Sequence, residues 1–237
     1  SVTITDVNGC FTTQNAFVDQ PSDSLRLSLV TTDFNGYSLA CYGDSNGIIS
    51  ASTTGGNGSV SFQWSNGDSS STINNLSSGN YIVSITDTSG CSLTDSLNLT
   101  SPNEFISSYT SSDVLCFGDS TGSAIVSFIG GVTDYVLGWG GFTLPLLGGQ
   151  NIFNSGAIIP AGIYPYNAVD QNGCTLYDTI IITQPDSLFT SYTISDYNGY
   201  NISCYSSNDG EINLSVFGGN SPYFIYFNNL QYPGPNT

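Results

Sequence analysis

Chemistry in this chain would have to come from carboxylates, hydroxyls and thiols. Its 237 residues include 18 acidic side chains, one basic residue (Arg26), six cysteines and neither His nor Met. Acid–base work would fall to Asp and Glu, and nucleophilic attack to Ser, Thr or Cys, with no His or Lys to activate either. Two carboxylates flanking a sugar bond could hydrolyse it, yet most Asp residues sit in turns that recur along the chain. That distribution reads as structural, and no catalytic residue is assigned.

The cysteines fall into two registers. One is D-x-x-G-C, at Asp6–Cys10, Asp87–Cys91 and Asp170–Cys174, its cysteines 81 and 83 residues apart. Each copy runs on to a proline: Pro21, Pro102 and Pro185. The other is C-[YF]-x-x-[SN]-x-G, at Cys41–Gly47, Cys116–Gly122 and Cys204–Gly210. So long a period means one small domain per repeat. The boundaries read as 1–21, the tail of a preceding repeat; 22–102, a complete repeat; 103–185, a complete repeat with an insertion; and 186–237, the start of another. Small domains with thin cores use disulfides in oxidising compartments, which implies an extracellular setting. If strands alternate in direction, the loop cysteine and the hairpin cysteine share one end of a domain. That predicts Cys41–Cys91 and Cys116–Cys174, one intradomain disulfide each. Cys10 and Cys204 would find mates only in preceding and following copies.

The same alternation gathers Asp33, Asp44 and Asp87 at one end of the first complete repeat, and Asp113, Asp119 and Asp170 in the next. Hard oxygen ligands at a junction could hold Ca²⁺, the one cofactor these residues suggest. Hydrogen bonding within the turns explains Asp there equally well. The formal net charge of −17 excludes nucleic acid and anionic membrane surfaces as partners, because no cationic groups exist to displace counterions. No apolar run reaches membrane-spanning length. With 39% hydrophobic and 13% aromatic residues, the chain has the material of a folded core.

The elements that position these groups are strands. Leu25, Leu27 and Leu29 alternate with Arg26, Ser28 and Val30, and Ile49, Ala51 and Thr53 alternate up to Gly55-Gly56. A third strand carries Val60, Phe62 and Trp64 on one face, matched by Tyr135, Leu137, Trp139 and by Tyr223, Ile225, Phe227. The pattern L-x-x-G-x-Y (Leu76, Gly79, Tyr81, echoed by Ile159, Gly162, Tyr164) resembles the tyrosine corner of immunoglobulin-like sandwiches. The fold class expected is all-β: tandem Ig-like or fibronectin-like β-sandwich repeats. Eight extra residues separate Trp139 from Ile159 relative to Trp64 and Leu76. This insertion carries Phe142, Leu144, Leu146, Leu147, Ile152 and Phe153, an apolar set suited to contact with a neighbouring chain or module, or to folding over its own sandwich.

The C-x-G-x-x-x-G loop, the doubled glycine, Trp64-Ser65-Asn66-Gly67, L-x-x-G-x-Y and D-x-x-G-C ending at Pro together resemble the SprB-type repeat. That repeat belongs to giant surface adhesins of gliding and biofilm-forming Bacteroidota. Residues 103–185 depart from it with Trp139-Gly140-Gly141 and with Pro165 inside a strand. The resemblance implies type IX secretion, an extracellular place on the cell surface, and a non-enzymatic role in adhesion or gliding. Partners would be neighbouring repeats, other filament chains, and glycans or substrata reached through other regions, with no direct membrane contact. Ser24, Ser96, Ser120, Thr179 and Ser187 follow Asp in a D-[ST]-x pattern that resembles an O-glycosylation motif of the same bacteria. Two other readings stay open: an array of carbohydrate-binding modules on a secreted enzyme, and a subunit of a self-assembling extracellular polymer.

Overall fold

Short alternating segments rich in Val, Ile, Thr and aromatic residues favour pleated strands, and the chain follows that preference throughout. The computed structural model describes residues 1–20 and 23–233. All regular structure there is β, with no helix among the described residues. The expected repeat end at Pro21 lies outside them. Two compact units form, Ser1–Asn103 and Glu104–Thr237.

In the first unit, β1 (Val2–Thr5) and β2 (Phe11–Gln14) make a hairpin around the first D-x-x-G-C turn. There follow β3 (Arg26–Thr31), β4 (Gly47–Thr54), β5 (Val60–Trp64), β6 (Thr72–Leu76), β7 (Gly79–Asp87) and β8 (Ser92–Leu99). One sheet has the order β3-β4-β6 and the other β5-β7-β8. The inward residues of both form one core, with Leu39, Ile49, Val83 and Ile85 fully buried and Trp64 2% exposed. The lower end of this sandwich carries Gly55-Gly56 and the β7–β8 turn. The upper end carries the Cys41 loop, tied down where the Ser38 and Leu39 amides both donate to Thr100 O at 2.9 and 3.0 Å.

Between the ends the chain changes sheets. β5 climbs only to mid-height, where Trp64 pairs with Val83. A turn returns it to the other sheet, and β6 finishes the ascent, from Thr72 opposite Ser50 to Leu76 opposite Gly47. At Gly47 a Cβ would stand 2.8 Å from Leu76 O and 2.7 Å from Leu99 Cδ1. The glycine of the loop motif is there for close approach of β6, not for a left-handed backbone.

The second unit repeats the plan with β9 (Ile106–Ser112), β10 (Ser123–Ile129), β11 (Tyr135–Trp139), β12 (Phe142–Leu146), β13 (Ile152–Asn154), β14 (Gly162–Val169) and β15 (Thr175–Ile182). Its sheets run β13-β10-β9 and β12-β11-β14-β15 around a core containing Val126, Phe128, Leu137, Ala168 and Ile180, all fully buried. Gly122 meets Ile159 O as Gly47 meets Leu76 O. Pro165 lies beyond the last β11–β14 pair, Trp139 with Tyr166, so only β15 flanks it and no ladder donor is lost to β11. The unit ends in β16 (Phe189–Ile194) paired with β17 (Ile212–Phe217), and β18 (Phe224–Phe227) paired with β19 (Leu230–Pro233). These four hold little core of their own. Val216 is buried, but Ile212 and Phe227 are 62% and 60% exposed.

Candidate functional site

The most constructed polar site is the carboxylate of the D-x-x-G-C turn. Asp87 is buried and accepts backbone N–H bonds from Asn57, Ser89 and Cys91 at 2.9 Å each. Asp170 does the same with Val132, Asn172 and Cys174 at 2.8 to 2.9 Å. Asp thereby locks the hairpin turn and pins the doubled-glycine loop of the neighbouring strand to it. The Asn57 amide above all, with those of Cys91, Ser89 and Gly90, holds the Asp87 carboxyl below its usual range, against the opposing effect of burial. Asp6 makes the turn bonds alone, to the amides of Asn8 and Cys10.

The cysteine pairing differs from the sequence expectation. Cys91 and Cys116 are free, exposed thiols, as are Cys10 and Cys204, whereas Cys41 and Cys174 are each disulfide-bonded. Neither Cys41–Cys91 nor Cys116–Cys174 forms. The reason is strand parity. From the Cys41 loop the chain descends in β4, ascends through β5 and β6, and descends in β7, an odd number of passes. Cys41 is therefore at the upper end and Cys91 at the lower, with the eight residues of β8 between, roughly 25 Å at the rise of a strand. A disulfide needs Cα atoms within about 7 Å. In the second sandwich the Cys116 loop is held at the top by Val114 N to Thr183 O and Gly118 N to Gln184 Oε1, while Cys174 sits in the lower turn.

The same geometry separates the acidic groups proposed for calcium. Asp33 caps the upper loop through Gly36 N (2.7 Å), and Asp44 accepts from Cys41 N (3.1 Å) and Asn46 Nδ2 (3.0 Å). Asp87 is a strand length away. Asp113, bonded to Thr183 N, and Asp119, whose amide donates to Cys116 O, are at the top, with Asp170 at the bottom. No group of three or more His, Cys, Asp or Glu side chains is placed to hold a metal among the described residues. Five of the six carboxylates, all but that of Asp119, accept backbone donors, and the six do not come together as a calcium site.

The corner tyrosines match the sequence expectation. The Tyr81 hydroxyl donates to Ser77 O (3.1 Å) and that of Tyr164 to Pro160 O (2.9 Å), the same corner in both sandwiches. The insertion divides its apolar residues. Leu146 is buried and Phe153 packs on Trp139 with ring centroids 5.3 Å apart, whereas Phe142, Leu144, Leu147 and Ile152 stay exposed. Ser24, Ser96, Ser120 and Ser187 are exposed and Thr179 is half-buried. The carboxylates of Asp23, Asp95 and Asp178 each accept the amide of the hydroxyl residue that follows, at 2.7 to 2.8 Å. Sequence reasoning overlooked the aromatic after each loop cysteine. Tyr42, Phe117 and Tyr205 are 59%, 57% and 100% exposed, a recurring apolar tip at the upper end, and its signal was the [YF] of the motif itself.

No curated protein matches the chain. Among solved structures, a similar one is described as "Bacteroides ovatus mixed-linkage glucan utilization locus (MLGUL) SGBP-B in complex with mixed-linkage heptasaccharide". Identity is 15%, covering 90% of this chain and 69% of that one, and the TM-score of 0.23 is too low to carry an argument. The family model of the SprB repeat matches residues 38–69 and 200–231, which span the loop cysteine, the doubled glycine and the third strand of two copies. The chain thus carries two segments that match the SprB repeat, in line with the resemblance read from its motifs.

Proposed function

We propose that this chain is a structural repeat segment of a secreted bacterial cell-surface adhesin or filament, one that extends and displays rather than catalyses. The observation that carries the reading is recurrence. The D-x-x-G-C carboxylate makes the same turn bonds at Asp6, Asp87 and Asp170, and the SprB match falls on equivalent strands of two copies. The buried carboxylates of Asp87 and Asp170 are committed to backbone donors, which supports a structural role for these turns. A surface of Ser, Thr, Asn and Asp with net charge −17 keeps neighbouring filaments apart and soluble. Partners in this reading are adjacent repeats and other filament chains, with glycans or substrata bound elsewhere.

Antibodies raised against residues 23–233, applied to intact cells that express the native protein, test this. Label lying outside the outer surface, together with reduced attachment or gliding when the gene is deleted, is the expected result. Label confined to permeabilised cells would refute it.

A further inference from the structure

The two complete sandwiches part company on a face that neither core uses. In an antiparallel sheet with one face on the core, the other meets water and is ordinarily polar. The sheet β5-β7-β8 obeys this, with Ser61, Asn80, Thr94 and Asn98 pointing outward and exposed. Counted from the shared D-x-x-G-C turn and the pairing of its strands, the same places in β12-β11-β14-β15 hold Val136, Ile163, Tyr177 and Ile181. These are 40%, 71%, 80% and 53% exposed. Two copies that keep the same cores, corners and turns have here exchanged polar residues for apolar ones. The fold does not require the change.

The face is also without charge. Thr143, Pro145, Gly138, Pro165, Asn167 and Thr179 share it. Among the described residues of these four strands, none that points outward is acidic or basic. A basic partner would find no carboxylate here and an acidic one no cation. Each copy of the chain carries a net charge of −17, so two copies repel unless they meet where neither brings its charge.

Shape fits a second copy as well. Gly138, Asn167 and Tyr177 form one row across three strands. Gly138 stands where the first sandwich has Gln63, and a Cβ there would run into the Asn167 carboxamide, so that side chain lies flat across β11. The row has an exposed ring at one end and a low shelf at the other. A two-fold axis parallel to the strands and passing over Asn167 sets each Tyr177 on the other copy's shelf, a self-complementary contact. The face is about 15 Å wide and about 20 Å long, which puts the contact at the low end of specific interfaces. One such contact is weak, and several between neighbouring filaments reinforce one another.

We propose that the outward face of β12-β11-β14-β15 is a lateral docking surface for a second copy of this chain, joined two-fold with Tyr177 of each copy against Gly138 and Asn167 of the other. The proposal rests on the filament reading above and names the surface through which filament chains meet side by side.

The test is sedimentation equilibrium of the whole purified chain, its free thiols capped with iodoacetamide, at loadings up to about 1 mM, where weak contacts populate. Dimers are expected, and they should tighten in high salt, which screens the repulsion between the two acidic chains. Tyr177→Asp and Ile163→Asp, both at exposed positions, should each weaken dimerisation at least tenfold by placing a charge in the contact. Thr94→Asp, at the matching place on the first sandwich, should leave it unchanged. A chain that stays monomeric, equal losses from Thr94→Asp and Tyr177→Asp, or dimers that loosen in high salt would each overturn the proposal. A monomer that binds cellohexaose in calorimetry, and loses that binding with Tyr177→Asp, would overturn it by giving the face to a glycan. So would a sugar found on Thr179 of native material, because it would cover the face. None of those failures would bear on surface location, which the antibody experiment reads separately.

Discussion

The stretches Val60–Leu76 and Tyr135–Ile159 make the same mid-height crossing between sheets and make it differently. In the first sandwich a tight turn closes over one indole, with Trp64 2% exposed and its Nε1–H donating to Ser70 O at 2.9 Å. In the second, the inserted residues build β12, and the half-buried Trp139 is held in an aromatic stack. Its ring lies parallel to that of Tyr164 at 5.8 Å and tilted against Phe153 and Tyr166. The ends of the two sandwiches do not diverge in this way. Both keep the corner tyrosine, the close-approach glycine and the three-bond carboxylate. The crossing tolerates insertion because it needs only an apolar plug, whereas the ends depend on particular hydrogen bonds.

The comparison is most exposed to truncating each plug. Trp64→Ala should cost roughly 3–5 kcal/mol, the range for a buried Trp. Trp139→Ala should cost less, because Tyr164, Phe153 and Tyr166 can close over the gap. The chain has only two Trp residues, so each variant retains one indole that reports the other sandwich. Urea unfolding followed by circular dichroism and by the remaining fluorescence would show both effects. Equal losses would mean that the aromatic stack offers no redundancy.

The close-approach glycines come next. Gly47→Ala and Gly122→Ala each drive a methyl group into a facing carbonyl at 2.8 or 2.7 Å, and overpacking of this kind costs about 1–3 kcal/mol. Gly210 occupies the same motif position just before β17, where the nearest atom to a new Cβ is Ile202 Cγ2 at 3.1 Å. Gly210→Ala should therefore fall within the roughly 0.5 kcal/mol typical of surface changes. Thermal melts of the three variants would separate them. A penalty at Gly210 as large as the other two would show that the motif needs glycine for another reason.

The repeat plan and the inward faces of the strands were legible in the residues because each rests on local pattern. Alternation put Val60, Phe62 and Trp64 on one face, and L-x-x-G-x-Y predicted the hydroxyl-to-carbonyl bonds of Tyr81 and Tyr164. What failed was long-range parity. Placing Cys41 beside Cys91, or Asp44 beside Asp87, requires the number of passes between them. β5 and β6 share one ascent across two sheets, which no local spacing reveals. The role of Asp87 was read only halfway. Its bonds to Ser89 and Cys91 follow from the turn, but the bond to Asn57 crosses 30 residues and exists only once both sheets are in place.

The corner tyrosines offer a smaller and more symmetrical test. Tyr81→Phe and Tyr164→Phe each remove one hydroxyl from a backbone carbonyl that water can still reach, a loss of about 1 kcal/mol. The two values should agree, since the geometry is shared by both sandwiches although the crossings beside them differ. A Tyr164→Phe loss well above that of Tyr81→Phe would show that the stack on Trp139 depends on the hydroxyl anchoring its partner ring, and the ends could no longer be treated as independent of the crossing.

The smallest effect expected is that of acid. The amides of Asn57, Cys91 and Ser89 depress the Asp87 carboxyl in the folded state, so its contribution is fully present above the unfolded value of about 3.9. It is lost as pH falls through the lower folded value. In the second sandwich the carboxyl held low is Asp113, chiefly by the amide of Thr183, at the upper rather than the lower end. Asp87→Asn should therefore lower stability at pH 6 and bring the variant closer to the parent chain near pH 2.5, with the change confined to the transition that Trp64 reports. Urea midpoints across that range, read in a Trp139→Phe background so that Trp64 is the sole indole, would settle the sign. Parallel curves for parent and variant would mean that the buried turn draws its stability from shape alone and that the charge on Asp87 contributes nothing to the lower end.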